Sequence, residues 1–60
     1  MTDDIKAWKR STAVRRFREI KENASRAGMS MSDVRAARAA AGYVDATGDD
    51  VLRWVREAGQ

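Results

Sequence analysis

Basic side chains are concentrated in the first third of the chain, where they are placed to bind phosphate groups. Between residues 6 and 21 seven cations accompany a single acid, Glu19. These cations are Lys6, Lys9, Arg10, Arg15, Arg16, Arg18 and Lys21. Arginine outnumbers lysine nine to three in the chain, and its guanidinium makes bidentate contacts with phosphate oxygens. The pattern predicts a surface for a polyanion, and a solvated helix face without a partner is the alternative.

The residues used most often in catalysis are missing. The chain has no Cys and no His, so it lacks a thiolate nucleophile, an imidazole base and the usual ligands of zinc. Carboxylates are present, but a chain of 60 residues has little room for a water-excluding pocket around two of them. We therefore expect a binding protein that is not an enzyme and that uses no cofactor and no metal.

The length limits the chain to one domain over residues 1–60. A chain of this size buries only about 60% of the surface that its unfolded form exposes. Its net stability is expected to be a few kcal/mol, without disulfides to increase it. A homodimer, or folding onto a partner, would supply further buried surface. No apolar stretch approaches the roughly 20 residues of a membrane span, and residues 1–10 lack the order of a signal peptide, which predicts a cytoplasmic protein without a membrane partner.

The spacing of apolar residues predicts helices throughout. The firmest helix has one apolar face with spacings of three and four residues. Its members are Ala13, Phe17, Ile20, Ala24 and Ala27. Gly28 follows, where a left-handed residue is expected to end the helix. Ile5 and Trp8 lie off this face, so we expect a short helix over residues 4–10, a break at the N-cap residue Ser11, and the main helix over about 12–27. The alternative is that Trp8 lies on a second contact surface.

Two further helices are predicted by their capping residues. Ser30 is expected to cap the second, with Asp33 three residues on and Met29 packed on Val34 as a hydrophobic staple. Its buried stripe is expected to comprise Met31, Val34, Ala37 and Ala41, with Gly42 at its end.

The third helix is expected to begin at the N-cap Thr47, because Asp49 and Asp50 suit the positive end of a helix dipole. Its predicted buried side comprises Val51, Leu52, Val55 and Ala58, with Trp54 at the edge and Gly59 at the end. The predicted fold is therefore all-α, a small three-helix bundle with a short extra N-terminal helix.

The second and third helices resemble the helix-turn-helix of the MerR, excisionase and phage small-terminase class. The resemblance is carried by Ala39, Ala40 and Ala41 before Gly42, and then by Val51 and Trp54 one turn apart. It implies that Arg53 and Arg56 contact a DNA groove. Asp49 and Asp50 oppose this placement, because they occupy the helix end that normally enters the groove.

The chain also resembles the UBA-like domain at the N-terminus of elongation factor Ts. Gly28 and Met29, and the segment WVREAG over residues 54–59, carry this resemblance. It implies a compact three-helix unit that binds proteins through Met29, Met31 and Trp54. The competing interpretation places the large apolar side chains in the core, namely Phe17, Met29, Met31, Tyr43 and Trp54.

The sequence leaves two main classes of function open. The favoured one is a small nucleic-acid-binding regulator, of the kind that phages and mobile elements encode. Its predicted contacts are Lys6, Lys9, Arg10, Arg15, Arg16, Arg18, Arg53 and Arg56. The other is a module that docks on a host or partner protein through Trp8, Met29, Met31 and Trp54. A small virion or assembly component is a third class.

Overall fold

Three α-helices make up the part of the chain that the structure describes. The computed structural model describes residues 2–59, with side-chain surroundings from residue 4 onward. The helices are α1 (Thr2–Arg26), α2 (Asp33–Ala41) and α3 (Gly48–Glu57), and each contacts the other two. No strand occurs between residues 2 and 59, and no helix there is long and apolar enough to cross a membrane. The predicted all-α three-helix fold is confirmed.

The predicted break at Ser11 is wrong, because α1 runs without interruption from residue 2 to residue 26. It contains no Gly or Pro, and a serine inside a helix costs at most about 0.7 kcal/mol relative to alanine. Ser11 is exposed and needs no other partner. A helix of this length spans about 37 Å and accounts for the long dimension of the molecule, 41 Å. The short extra N-terminal helix is thus the first part of α1.

The core lies where the second half of α1 meets α2 and α3. From α1 it takes Ala13, Val14 and Phe17, the last only 2% exposed. Val51 and Val55 enter it from α3. Ile20 and Leu52 pack at its margin, while Ala27 and Ala58, predicted on buried faces, are exposed because each lies at or beyond its helix end.

Helix α2 begins two residues later than predicted. Ser32 rather than Ser30 is the N-cap, since its hydroxyl accepts a hydrogen bond of 3.2 Å from the backbone N–H of Arg35. With this start the helix turns a flat alanine face to the core: Ala36, Ala37, Ala40 and Ala41. Val34 then lies at the edge, 48% exposed, and the predicted staple with Met29 does not form a buried contact. Met31 packs against the core from the linker before the helix.

The remaining helix ends agree with the prediction. Thr47 and Asp50 form a reciprocal capping box at the start of α3, as a Thr at the N-cap favours. Gly28 adopts a φ of +76°, and the backbone N–H of Met29 reaches back to the carbonyl of Ala24. Gly42 follows the last residue of α2.

Two large side chains expected in the core are exposed. Met29 is 59% and Tyr43 61% exposed, because both lie in connections between helices rather than on a packed face. Val44, which no pattern predicted, is buried in the connection between α2 and α3 and is only 3% exposed. The backbone turns at Asp45, with a φ of +55°, and so brings Val44 under the helix pair.

Gly48 allows α2 and α3 to approach closely, and its replacement by alanine should destabilise the protein by about 1 kcal/mol. A Cβ at this position would lie 2.9 Å from Cγ of Arg38. Gly42→Ala is the matched control, since its φ of −62° suits alanine and the new methyl meets only Ala39 O, at 3.5 Å. Chemical denaturation should show opposite signs for the two variants, with Gly42→Ala raising stability by roughly 0.4–1 kcal/mol. Equal stabilisation by both would contradict the close approach at Gly48.

Candidate nucleic-acid interface

The first part of α1 extends away from the core and presents its basic residues. We call residues 4–12 the arm. None of its side chains is buried, and the core contacts of α1 begin at Ala13. Lys6 and Arg10 are four residues apart and share a helix face with Ala13 and Phe17, the face that meets the rest of the bundle. The arm therefore carries these two cations toward α3.

One groove lies between the arm and α3, and we call it the arm groove. It has a volume of about 280 Å³. Its lining comprises Lys6, Lys9, Arg10, Asp50, Arg53 and Trp54. Cations separated by more than 40 positions in the chain, such as Lys6 and Arg53, thus meet at one site.

A second groove lies farther along α1, beside the end of α3, and we call it the terminal groove. Its volume is about 430 Å³. Its lining comprises Arg10, Ser11, Val14, Arg15, Arg18, Glu19, Glu22 and Ala58. Arg10 lines both grooves, so the two lie next to each other along α1. From Lys6 to Arg18 the surface that carries both grooves follows about 18 Å of α1.

The acids on this surface are paired with nearby arginines. Glu19 lies 3.3 Å from Arg16, and Glu22 lies 2.6 Å from Arg26. Their partners do not line either groove, so these two pairs engage none of the groove cations. Arg53 is the groove cation that does form an ion pair, with Asp50. Lys6, Lys9, Arg10, Arg15 and Arg18 form no ion pair with a side chain that the structure describes.

The Asp50 carboxylate also has partners at the start of its own helix. One carboxylate oxygen lies 3.2 Å from Arg53, and the other accepts a hydrogen bond from the backbone N–H of Thr47. A carboxylate at this position also interacts favourably with the positive end of the helix dipole. Its repulsion of a phosphate in the arm groove is therefore reduced.

Two of the predicted basic contacts lie apart from the grooves. The Arg16 guanidinium lies over the Tyr43 ring, 4.9 Å from its centroid, besides its pair with Glu19. It holds the connection after α2 against α1. Arg56 is exposed in the last turn of α3 but lines neither groove. Lys21, also in the basic segment, pairs with Asp33 and so links α1 to the start of α2.

The four predicted protein-binding residues lie in different places. Trp8 is 57% exposed on the arm, and Met29 follows the opposite end of α1. About 27 Å of helix lies between Trp8 and Arg26, the last residue of α1. Met31 and Trp54 are partly buried against the core. These side chains therefore do not make one exposed apolar patch.

Sequence reasoning missed the uncharged part of this surface. Val14 and Ala58 contribute to the terminal groove, and neither was singled out as part of a binding site. The spacing of Arg10, Val14 and Arg18, four residues each, is a signal that places all three on one line of the helix. No local pattern connects Ala58 to them, because that contact depends on how α3 packs.

Comparisons of the chain with protein-family models, curated proteins and solved structures found no match.

Proposed function

We propose that the protein binds nucleic acid through phosphate contacts made by the two grooves. The observation that carries this proposal is the convergence of cations from two helices on two adjacent grooves that share Arg10. The proposed contacts are Lys6, Lys9, Arg10, Arg15, Arg18 and Arg53. Arg16 and Arg56 are left out because they lie outside the grooves.

The arrangement favours backbone contacts over base readout. Cations spread along about 18 Å of helix match a row of about six phosphates, since one strand of a duplex carries a phosphate every 3.4 Å. No buried polar side chain between residues 4 and 59 offers a fixed hydrogen-bonding pattern for a base. Binding by such a surface depends little on sequence and strongly on salt.

The proposal is tested by titrating a labelled random oligonucleotide, followed by fluorescence anisotropy, at about 50 mM and about 200 mM salt. Six phosphate contacts predict an affinity loss on the order of 10³-fold between these conditions. An Arg10→Gln variant should lose about tenfold in affinity at the lower salt and reduce the salt slope by about one.

Arg35→Gln is the matched control for this measurement. It removes the same charge from an exposed side chain of α2 that lies outside both grooves. Its salt slope should equal that of the parent protein. No binding at the lower salt would refute the proposed function, and equal losses in the two variants would refute the assignment to the grooves.

A further inference from the structure

The arm groove differs from the terminal groove because an aromatic side chain lines it. Trp54 is only partly buried: part of its side chain packs against the core, and part lines the groove. The core therefore restrains Trp54, while part of its side chain is accessible from the groove. It is suited to a planar group that enters the groove.

Four cations line the same groove as this indole. Lys6, Lys9 and Arg10 approach from α1, and Arg53 is its neighbour in α3. The cation–π contact found among the described residues is that of Arg16 with Tyr43, so no described cation covers the Trp54 ring. An aromatic side chain together with several cations in one groove is the combination that single-stranded nucleic-acid sites use.

A duplex fits this groove poorly. Its bases are stacked inside the helix, where a side chain recessed between two helices cannot reach their faces. A recognition helix usually enters the major groove with its N-terminal residues, and α3 presents Asp49 and Asp50 there. A single strand can turn a base outward without breaking base pairs, so it can place that base on Trp54 and adjacent phosphates on the cations.

We infer that the arm groove binds single-stranded nucleic acid, with one base stacked on Trp54 and the flanking phosphates on Lys6, Lys9, Arg10 and Arg53. This inference rests on the proposed nucleic-acid binding and adds the form of the ligand. Base stacking is tolerant of sequence, because every base has a π face.

The test follows Trp54 fluorescence in the full chain carrying Trp8→Phe, which leaves Trp54 as the sole tryptophan. Oligothymidylate and a duplex of equal length are titrated at low salt. We expect the single strand to bind more tightly and to quench Trp54.

A Trp54→Leu variant keeps apolar bulk against the core and removes the π face. Its affinity for oligothymidylate should fall about 5- to 150-fold, the range for losing one base–aromatic stack. Trp8→Leu is the control and should bind as the parent does, while circular dichroism checks that both variants are folded.

The outcomes separate this inference from the proposed function. Salt-dependent binding without Trp54 quenching, or equal or tighter binding of the duplex, would overturn the stacking site and leave phosphate binding in place. Unchanged affinity in a folded Trp54→Leu variant would overturn it as well. Failure of both the single strand and the duplex to bind at low salt would overturn the stacking site and the proposed function.

Discussion

A Phe17→Ala variant is expected to be largely unfolded at room temperature. Phe17 is 2% exposed and is the one large aromatic side chain that the core buries. The other buried side chains are alanines and valines, which cannot expand to fill the space. Truncation of a buried phenylalanine costs about 3–5 kcal/mol. A domain of this size has roughly that much net stability in total.

The measurement is helicity by circular dichroism together with a thermal melt. The control is Trp8→Ala, which removes a larger aromatic side chain from the exposed arm. It should change the free energy of unfolding by less than about 0.5 kcal/mol, as for other surface substitutions. A cooperative melt for Phe17→Ala close to that of the parent would show that the core does not depend on this side chain.

The second large effect is expected on binding. A triple variant with Arg10, Arg15 and Arg18 replaced by glutamine should lose on the order of 10³-fold in affinity for an oligonucleotide at about 50 mM salt. The reason is that each phosphate contact releases about one condensed counterion, and this favourable contribution is lost with the contact. All three side chains are exposed, so the fold should be retained. Anisotropy titrations measure the affinity, and circular dichroism monitors the helices.

A charge-matched triple variant shows whether the oligonucleotide binds at the grooves or is attracted only by the net positive charge of the protein. Replacing Arg35, Arg38 and Arg56 with glutamine also lowers the formal net charge from +3 to zero, but none of these residues lines a groove. The Arg38→Gln change keeps the Cβ and Cγ methylenes, and Cγ is the atom that lies nearest to Gly48. This variant should retain most of the affinity, and a loss equal to that of the groove variant would contradict the proposed site.

Local patterns predicted the parts of the fold that depend on neighbouring residues. The capping box of Thr47, the left-handed Gly28 and the buried Phe17 each depend on interactions within about one or two helical turns. The serine before α2 was misassigned because both Ser30 and Ser32 are suitable caps. Ser32 caps the helix in the structure, and four alanines of that helix are buried in the core. Burial against the other helices is a tertiary effect that the local sequence does not show.

The sequence shows the basic segment, but it does not show which of its cations lie together on one surface. From the sequence, Arg10, Arg15, Arg16 and Arg18 were equally good candidates for phosphate contacts. In the structure, Arg16 instead pairs with Glu19 and lies over the Tyr43 ring. The same limit applies to Trp8, whose position off the main helical face suggested a break in the helix. The helix instead continues and leaves Trp8 in solvent.

The amino-acid sequence by itself determined that this chain forms helices, roughly where they end, and that its cations cluster in the first third. Backbone hydrogen bonds, caps and side-chain periodicity act over a few residues and are visible in the order of residue types. Only the tertiary structure decided that Lys6 and Arg10 face Arg53 and Trp54 across a groove. That meeting depends on how closely the alanine face of α2 and the valines of α3 pack against α1, and packing between distant segments leaves no local signature in the sequence.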